Sequence, residues 1–279
     1  MNFALIEQSL GKKIIRFQAI SGGCTAKSYL VELDNSLKIF VKTHAQKDIF
    51  EKEANGLKEL EKAQAIIIPK ILLVTEEFLC LELLEQVSFS AESYYKLGQG
   101  LALLHKFKGQ QYGFYEDNYI GTTTQINKYD KNWSHFFYQN RLVYQLKLLE
   151  EKRLSTKDLC QGVAQLENIV VKLLDQSQDR PSLLHGDLWS GNVLCTTYGP
   201  ALIDPAVYYG HREADLAMAA LFGGFPLDFY LGYTDEYPLE GGHLERQGIY
   251  QLYHVLNHLN LFGRSYYSQA MNIIRTYLE

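Results

Sequence analysis

Apolar positions in the first third of the chain come in short alternating runs broken by turn-forming residues. Ile14 to Ile20, Tyr29 to Leu33 and Leu37 to Thr43 are such runs, and Ser21-Gly22-Gly23 and Asp34-Asn35 lie between them. This spacing predicts three antiparallel strands joined by tight turns. From Lys47 to Ala63 the period lengthens, and Phe50, Ala54, Leu57 and Leu60 recur at helical intervals. Pro69 stops that helix, and Ile71 to Val74 and Phe78 to Leu84 predict two more strands. Beyond Leu84 the spacing is mostly helical: Tyr94, Leu97, Leu101 and Leu104, then Phe136 to Leu149, then Ile249 to Phe262. The change of period predicts an α+β chain with two lobes, 1–85 and 86–279. The first is an antiparallel five-stranded sheet with one helix; the second is mainly helical around a small β element. Gly109 to Asn132, rich in Gly, Thr, Asn and Tyr, predict a long functional or covering loop.

Composition narrows the function classes. With 279 residues, 47% of them hydrophobic, the chain can bury a full core. The 27 basic and 32 acidic residues give a net charge of -5, without the basic footprint of a nucleic-acid or membrane-surface partner. A cationic small substrate is compatible with that balance. Cys24, Cys80, Cys160 and Cys195 are widely spaced and form no C-x-x-C pair, which speaks against a zinc site or a thioredoxin-type motif and for reduced thiols in a cytoplasm. Met1 to Lys13 lack a basic head followed by a long apolar stretch, so a soluble, cytoplasmic protein is expected. Oligomeric state is not legible.

The chemistry concentrates in Leu183 to Leu194, L-L-H-G-D-L-W-S-G-N-V-L, where apolar pairs frame an acid and an amide five positions apart. Phosphoryl transfer to a hydroxyl needs a carboxylate to orient the nucleophile and take its proton, and an amide oxygen to hold magnesium. Asp187 and Asn192 suit those roles. Asp204 ends the apolar run Ala201-Leu202-Ile203, where a second magnesium ligand belongs. Each residue alone reads more readily as an exposed loop residue; the ordered set does not.

Such a site also needs a cation for the nucleotide phosphates, held by a carboxylate on the following helix. Lys42, at the end of the third predicted strand, and Glu53, on the helix, meet that requirement. Gly22 and Gly23 sit where backbone amides could cover phosphates, although the segment does not match a Walker-type loop. The backbone from Glu82 to Leu84, at the exit from the fifth predicted strand, is placed to pair with an adenine edge. His185 reads as a brace for its loop, and Asp215 as an acceptor for the amides that hold Asp187 in place.

The H-G-D-L-W-S-G-N string resembles the catalytic loop of the fructosamine and ketosamine kinases, relatives in fold of the aminoglycoside phosphotransferases and choline kinases. Trp189 separates it from the aminoglycoside enzymes. The likeness spans nearly the whole chain: D-N-Y-I-G-T-T-T-Q-I-N from Asp117, N-W-x-x-F-F from Asn132, Y-G-H-R-E-A-D-L-A-M from Tyr209, F-G-G-F from Phe222 and Y-Q-L-Y-H-V-L-N-H from Tyr250. The resemblance implies a protein-kinase-like fold and ATP- and magnesium-dependent phosphorylation of a sugar hydroxyl on a ketoamine, free or protein-linked. The phosphorylated adduct would then fall apart and free the amine, a repair of glycation. The glycine loop departs from the family, which often carries Asn where this chain has Thr25-Ala26-Lys27.

For the substrate, Trp133, Trp189, Tyr208, His211 and Glu213 are the candidates: aromatic faces pack on sugar C–H surfaces, and a carboxylate pairs with the amine. Aromatic core packing is the competing reading, since the chain has 20 Tyr and 14 Phe. Cys24, inside the presumed phosphate loop, is a candidate for inhibitory oxidation, an inert small residue being the alternative. Two other functions stay open. One is a kinase for an aminoglycoside, choline or a sugar; the other is a pseudokinase serving as a nucleotide-binding module.

Overall fold

The computed structural model describes residues 3–20, 26–177 and 179–279. Gly22, Gly23 and Cys24 lie outside the described residues, and with them the expectations of phosphate covering and of a reactive thiol. The chain opens with α1 (Phe3–Leu10), β1 (Ile14–Ile20), β2 (Lys27–Leu33), β3 (Lys38–Thr43), α2 (Ile49–Glu61), β4 (Ile71–Val74) and β5 (Phe78–Glu82). The strands form one antiparallel sheet in the order β1-β2-β3-β5-β4.

Side chains alternate between the faces of a strand, so β3 and β5 each feed two different cores. Ile39, Val41, Phe78 and Cys80 pack with Val31, Leu33 and Ile6 of α1 on one face. Leu79 and Leu81, on the other, pack with Ile49, Phe50, Ala54 and Leu57 of α2. Lys42 follows Val41 and therefore projects towards α2, which fixes where its ammonium can go. The expectation of a single helix in this lobe is corrected by α1, whose Phe3, Ile6 and Leu10 have the spacing of an amphipathic face.

The rest of the chain is mainly helical. It runs through α3 (Ala91–Lys106), β6 (Asn118–Ile120), β7 (Thr123–Gln125), α4 (Trp133–Phe137), α5 (Tyr144–Glu151), α6 (Lys157–Gln165) and α7 (Glu167–Leu174). Then follow β8 (Ser182–Leu184), β9 (Val193–Thr196), β10 (Gly199–Leu202), β11 (Tyr208–Gly210), α8 (Glu213–Ala219), α9 (Leu227–Glu236), α10 (His243–Phe262) and α11 (Tyr267–Leu278). A π-helical turn, Tyr138–Val143, joins α4 to α5. A five-stranded antiparallel lobe followed by a mainly helical one is the two-lobe architecture expected. Gly109 to Asn132 prove to be more than a covering loop: β6 and β7 form a hairpin, and Asn118, Thr123, Gln125 and Asn127 are buried beneath it.

Helices α3 and α9 cross in backbone contact. A Cβ on Gly98 would stand 2.0 Å from the Phe229 carbonyl oxygen, and one on Gly232 would stand 2.0 Å from that of Tyr95. Only glycine permits so close an approach, and its consequence is functional: it brings Tyr233 of α9 onto His105 of α3. Among the described residues no helix is long and apolar enough to cross a membrane.

Candidate active site

Lys42, 6% exposed, lies between two carboxylates. Its Nζ donates to Glu53 Oε1 at 2.7 Å and to Asp204 Oδ1 at 2.7 Å. Glu53 reaches it from α2 and Asp204 from the segment after β10, so one ammonium ties the first lobe to the second. Burial works against the charge on Lys42, but Asp204 and Glu53 outweigh it and raise its pKa. Glu53 is pushed upwards by burial, with Lys42 pulling the other way.

β8 ends at Leu184 and pairs with β11, and β9 begins at Val193 and pairs with β10, so the loop between them hangs from two short ribbons. Gly186 turns it with φ +83°, and a Cβ there would stand 1.9 Å from the Ala206 carbonyl oxygen. His185 braces the loop as expected. Its Nε2–H donates to Ile203 O at 2.9 Å, and its Nδ1 accepts the Asp187 backbone N–H at 3.2 Å. Both ring nitrogens are occupied and burial lowers the pKa, so the imidazole is neutral.

Asp187 is half-buried. Asn192 Nδ2 donates to its carbonyl oxygen at 2.8 Å, to its Oδ2 at 3.2 Å and to Asp204 O at 3.5 Å. With its N–H groups so engaged, Asn192 has its amide oxygen to offer a cation. Burial and then the charge of Asp204 push the Asp187 carboxyl up to about 7. Asp204 takes φ +55°, a left-handed backbone tolerated best by Gly, Asn and Asp. Such strained positions concentrate at functional sites. The oxygens of Asn192 and Asp204 are the hard donors magnesium selects, and a pair of protein ligands suffices when phosphate and water complete its shell.

Asp215 lies beneath this loop and makes the contacts expected of it. His185 N–H donates to Oδ2 at 2.7 Å and Gly186 N–H to Oδ1 at 2.8 Å. A third donor, His105 Nε2 at 3.1 Å from Oδ2, carries no signal in the local sequence; the ring is fixed by Tyr233 OH at 2.8 Å from Nδ1. The β6–β7 hairpin supports the site from another side. Gln125 Nε2 donates to Ala206 O at 3.0 Å, and Asn118 Nδ2 to Val207 O at 2.7 Å, which holds the segment between Asp204 and β11. The block D-N-Y-I-G-T-T-T-Q-I-N carried both residues, but nothing in it disclosed that role.

Four of the five expected substrate contacts are corrected by their burial. Trp133, Tyr208, His211 and Glu213 are 4%, 1%, 1% and 4% exposed. Trp133 Nε1 donates to Tyr250 OH at 3.1 Å, Tyr250 OH bonds His211 Nδ1 at 2.8 Å, and Tyr208 lies under the Arg141 guanidinium at 4.1 Å. Glu213 forms a bidentate pair with Arg246, both contacts 2.7 Å. These groups spend their polarity on the protein. Trp189, 37% exposed, stays available at the surface of the loop. Glu82 directs Oε1 to the Lys70 N–H at 2.9 Å, and Leu84 is half-buried in the segment between the lobes, where Val87 N–H then bonds Cys195 O at 2.8 Å.

Comparison with known proteins bears on the whole chain. The sequence model of the fructosamine kinase family matches residues 2–279. A probable ketoamine kinase of Vibrio parahaemolyticus is 41% identical over 95% of this chain and 92% of its own length. The chloroplastic protein-ribulosamine 3-kinase of Oryza sativa subsp. japonica is 38% identical over 99% of this chain and 82% of its own. The crystal structure of an inferred fructosamine-3-kinase from Thermobifida fusca superposes with a TM-score of 0.91 at 29% identity, covering 99% of this chain and 97% of that one.

Proposed function

The chain belongs to the fructosamine kinase family, and from that premise we propose that Asp187 is the base, and Asn192 and Asp204 the magnesium ligands, of its reaction. That reaction is the ATP-dependent phosphorylation of a sugar hydroxyl of a ketosamine. The observation that carries the assignment is the junction of Lys42 with Glu53 and Asp204 beside the Asp187–Asn192 pair.

The substrate hydroxyl hydrogen-bonds to Asp187. As its oxygen bonds to the γ-phosphorus of ATP, the bond to the β–γ bridging oxygen breaks, ADP leaves, and the hydroxyl proton passes to Asp187. A carboxyl raised to about 7 is a stronger base than an ordinary aspartate and becomes ionised as pH rises through that value. Magnesium, when bound, offsets the charge of the phosphates; Asn192 offers its amide oxygen and Asp204 its Oδ2. Lys42 sets the position of Asp204 and presents a positive charge to the nucleotide. The backbone of Glu82 to Leu84 receives the adenine edge, and Trp189 offers its ring to the sugar. Phosphorylation destabilises the adduct, which splits and releases the amine.

The test combines Mg-ATP with ribulosyl-lysine, fructosyl-lysine, kanamycin and choline, following ADP release, with Asp187→Ala as control. Turnover of a ketoamine, lost in the variant, is the expected result. Turnover of kanamycin or choline alone would replace the substrate class. Nucleotide binding without turnover of any compound would make the protein a binding module.

A further inference from the structure

A phosphoryl-transfer site of this design works only while the carboxylate on α2 stays on the lysine of β3. That carboxylate is Glu53, and α2 belongs to the first lobe, so anything that fixes α2 relative to the second lobe fixes the Lys42–Glu53–Asp204 junction. The helix carries a second polar stripe. Asp48, Lys52, Asn55 and Glu59 recur at spacings of four, three and four, which puts them along one face. Glu53 falls on a different face.

Every member of that stripe is met by the second lobe. Tyr119 OH donates to both carboxylate oxygens of Asp48 at 2.8 Å. Lys52 Nζ donates to Glu116 Oε2 at 2.7 Å, and Asn55 Nδ2 to Glu116 Oε1 at 2.9 Å. Tyr209 OH donates to Glu59 Oε1 at 2.9 Å. Asp48 is the N-cap residue of α2, yet its side chain makes no capping bond. Its carboxylate is directed instead to a residue of the other lobe.

Glu116 is the centre of the row, because each of its oxygens takes a donor from a successive turn of the helix. The Lys52 and Glu116 side chains are 23% and 17% exposed, so their attraction is less screened than that of an open surface pair. The anchoring is stiff on both sides. Glu116 directly precedes the Asp117–Asn127 segment, in which Asp117 Oδ1 accepts the Asn127 N–H at 2.7 Å and Asn118 is tied to Val207 O. At the far end of α2, Leu60 enters the core of the second lobe.

We propose that Glu116 is a positioning residue for phosphoryl transfer, holding α2 against the second lobe so that Glu53 stays on Lys42 without any activating event. The lobes are thereby latched on the α2 side, and nucleotide enters and leaves without displacing that helix. The proposal rests on the kinase reading given above.

The experiment is a double-mutant cycle of Glu116→Ala with Glu53→Gln, read on kcat, on KM for ATP with ribulosyl-lysine as acceptor, on Mg-ATP affinity by calorimetry and on thermal midpoint. Alone, Glu116→Ala lowers kcat/KM for ATP on the order of 10- to 100-fold. In the Glu53→Gln background it costs less than about twofold more, because the group it positions is already lost. The swapped pair K52E with E116K restores most of the activity lost in E116K alone, and E116K serves in place of Glu116→Ala should that variant not fold. A Glu116→Ala enzyme as active as the parent, equal losses in the two backgrounds, or a folded swap no better than the single variant would each overturn the proposal. A parent protein that binds Mg-ATP but turns over no ketoamine would sink the reaction instead, and the same cycle read on Mg-ATP affinity then decides the latch.

Discussion

Three buried or half-buried carboxylates lie within a short distance of one another in the second lobe, and they differ in how many donors meet them. Asp187 is approached, among the described residues, by Asn192 Nδ2 at 3.2 Å. Asp215 accepts from two backbone N–H groups and a histidine, and Glu213, two residues before it on α8, takes both forks of Arg246. For the two aspartates the protonation equilibria are set, besides burial, by the charge of Asp204 beside Asp187 and by the donors around Asp215. Burial opposes ionisation of Asp187 and Asp215 alike, yet Asp187 is raised to about 7 while Asp215 is held below the ordinary range, chiefly by His105. A satisfied carboxylate is a structural member. One left short of donors keeps its affinity for a proton, and in this lobe that one stands at the open end of the loop.

The sharpest way to break the comparison is at Asp187. Asp187→Asn keeps the shape and the contact with Asn192 but cannot take a proton, so kcat falls about 10²–10⁴-fold. The thermal midpoint does not fall, because an under-satisfied carboxylate contributes little to stability. The sign of the pH effect follows from the raised pKa: Asp187, the proposed base, is ionised above about 7 and loses that charge as pH drops through that value. Proton uptake by the metal-free protein therefore shows a group near neutrality that is missing from Asp187→Asn. Full activity in that variant would remove Asp187 from the chemistry.

Asp215 tests the opposite member. Asp215→Ala strips the His185 and Gly186 amides of their acceptor and leaves His105 facing a gap. The loop loses its register, and kcat falls on the order of 10- to 100-fold, while Mg-ATP affinity, measured by calorimetry, changes by less than about threefold. An equal loss of nucleotide affinity would place Asp215 among the binding groups.

What could be read in advance follows the range of each interaction. Asp187, Asn192 and Asp204 sit on one stretch of chain, and Lys42 and Glu53 on adjacent strand and helix, so local spacing already implied that each set converges. His105, Glu116 and Gln125 act on partners 110, 64 and 81 residues away, a pairing that no local pattern encodes. The substrate candidates divide for a different reason, four of the five being buried and Trp189 exposed. Side-chain type alone points to Trp133, Tyr208 and His211, and an aromatic ring suits a core as well as a sugar. The π-helical turn that carries Arg141 over Tyr208 could not be anticipated, because an α-helical period predicts nothing of a one-residue expansion. Helix α1 is legible in the spacing of Phe3, Ile6 and Leu10, a signal separate from the charge and length that mark an export segment.

The smallest kinetic effect is expected at Glu213, which the sequence reading offers as the carboxylate that pairs with the substrate amine. Glu213 is 4% exposed and bound at both oxygens by Arg246, itself 1% exposed, so no substrate amine can reach it. Glu213→Gln leaves one acceptor and turns an amide N–H₂ towards a guanidinium, donor against donor. Arg246 keeps the Gly241 carbonyl at 3.1 Å but loses the compensation of its charge. The cost falls on stability, about 1–3 kcal/mol, and appears as a lower denaturant midpoint with an unchanged slope. The ketoamine KM stays at the parental value in the folded fraction. A raised KM with unchanged stability would return Glu213 to the substrate site and overturn the view that donor number separates the working carboxylate from the structural ones.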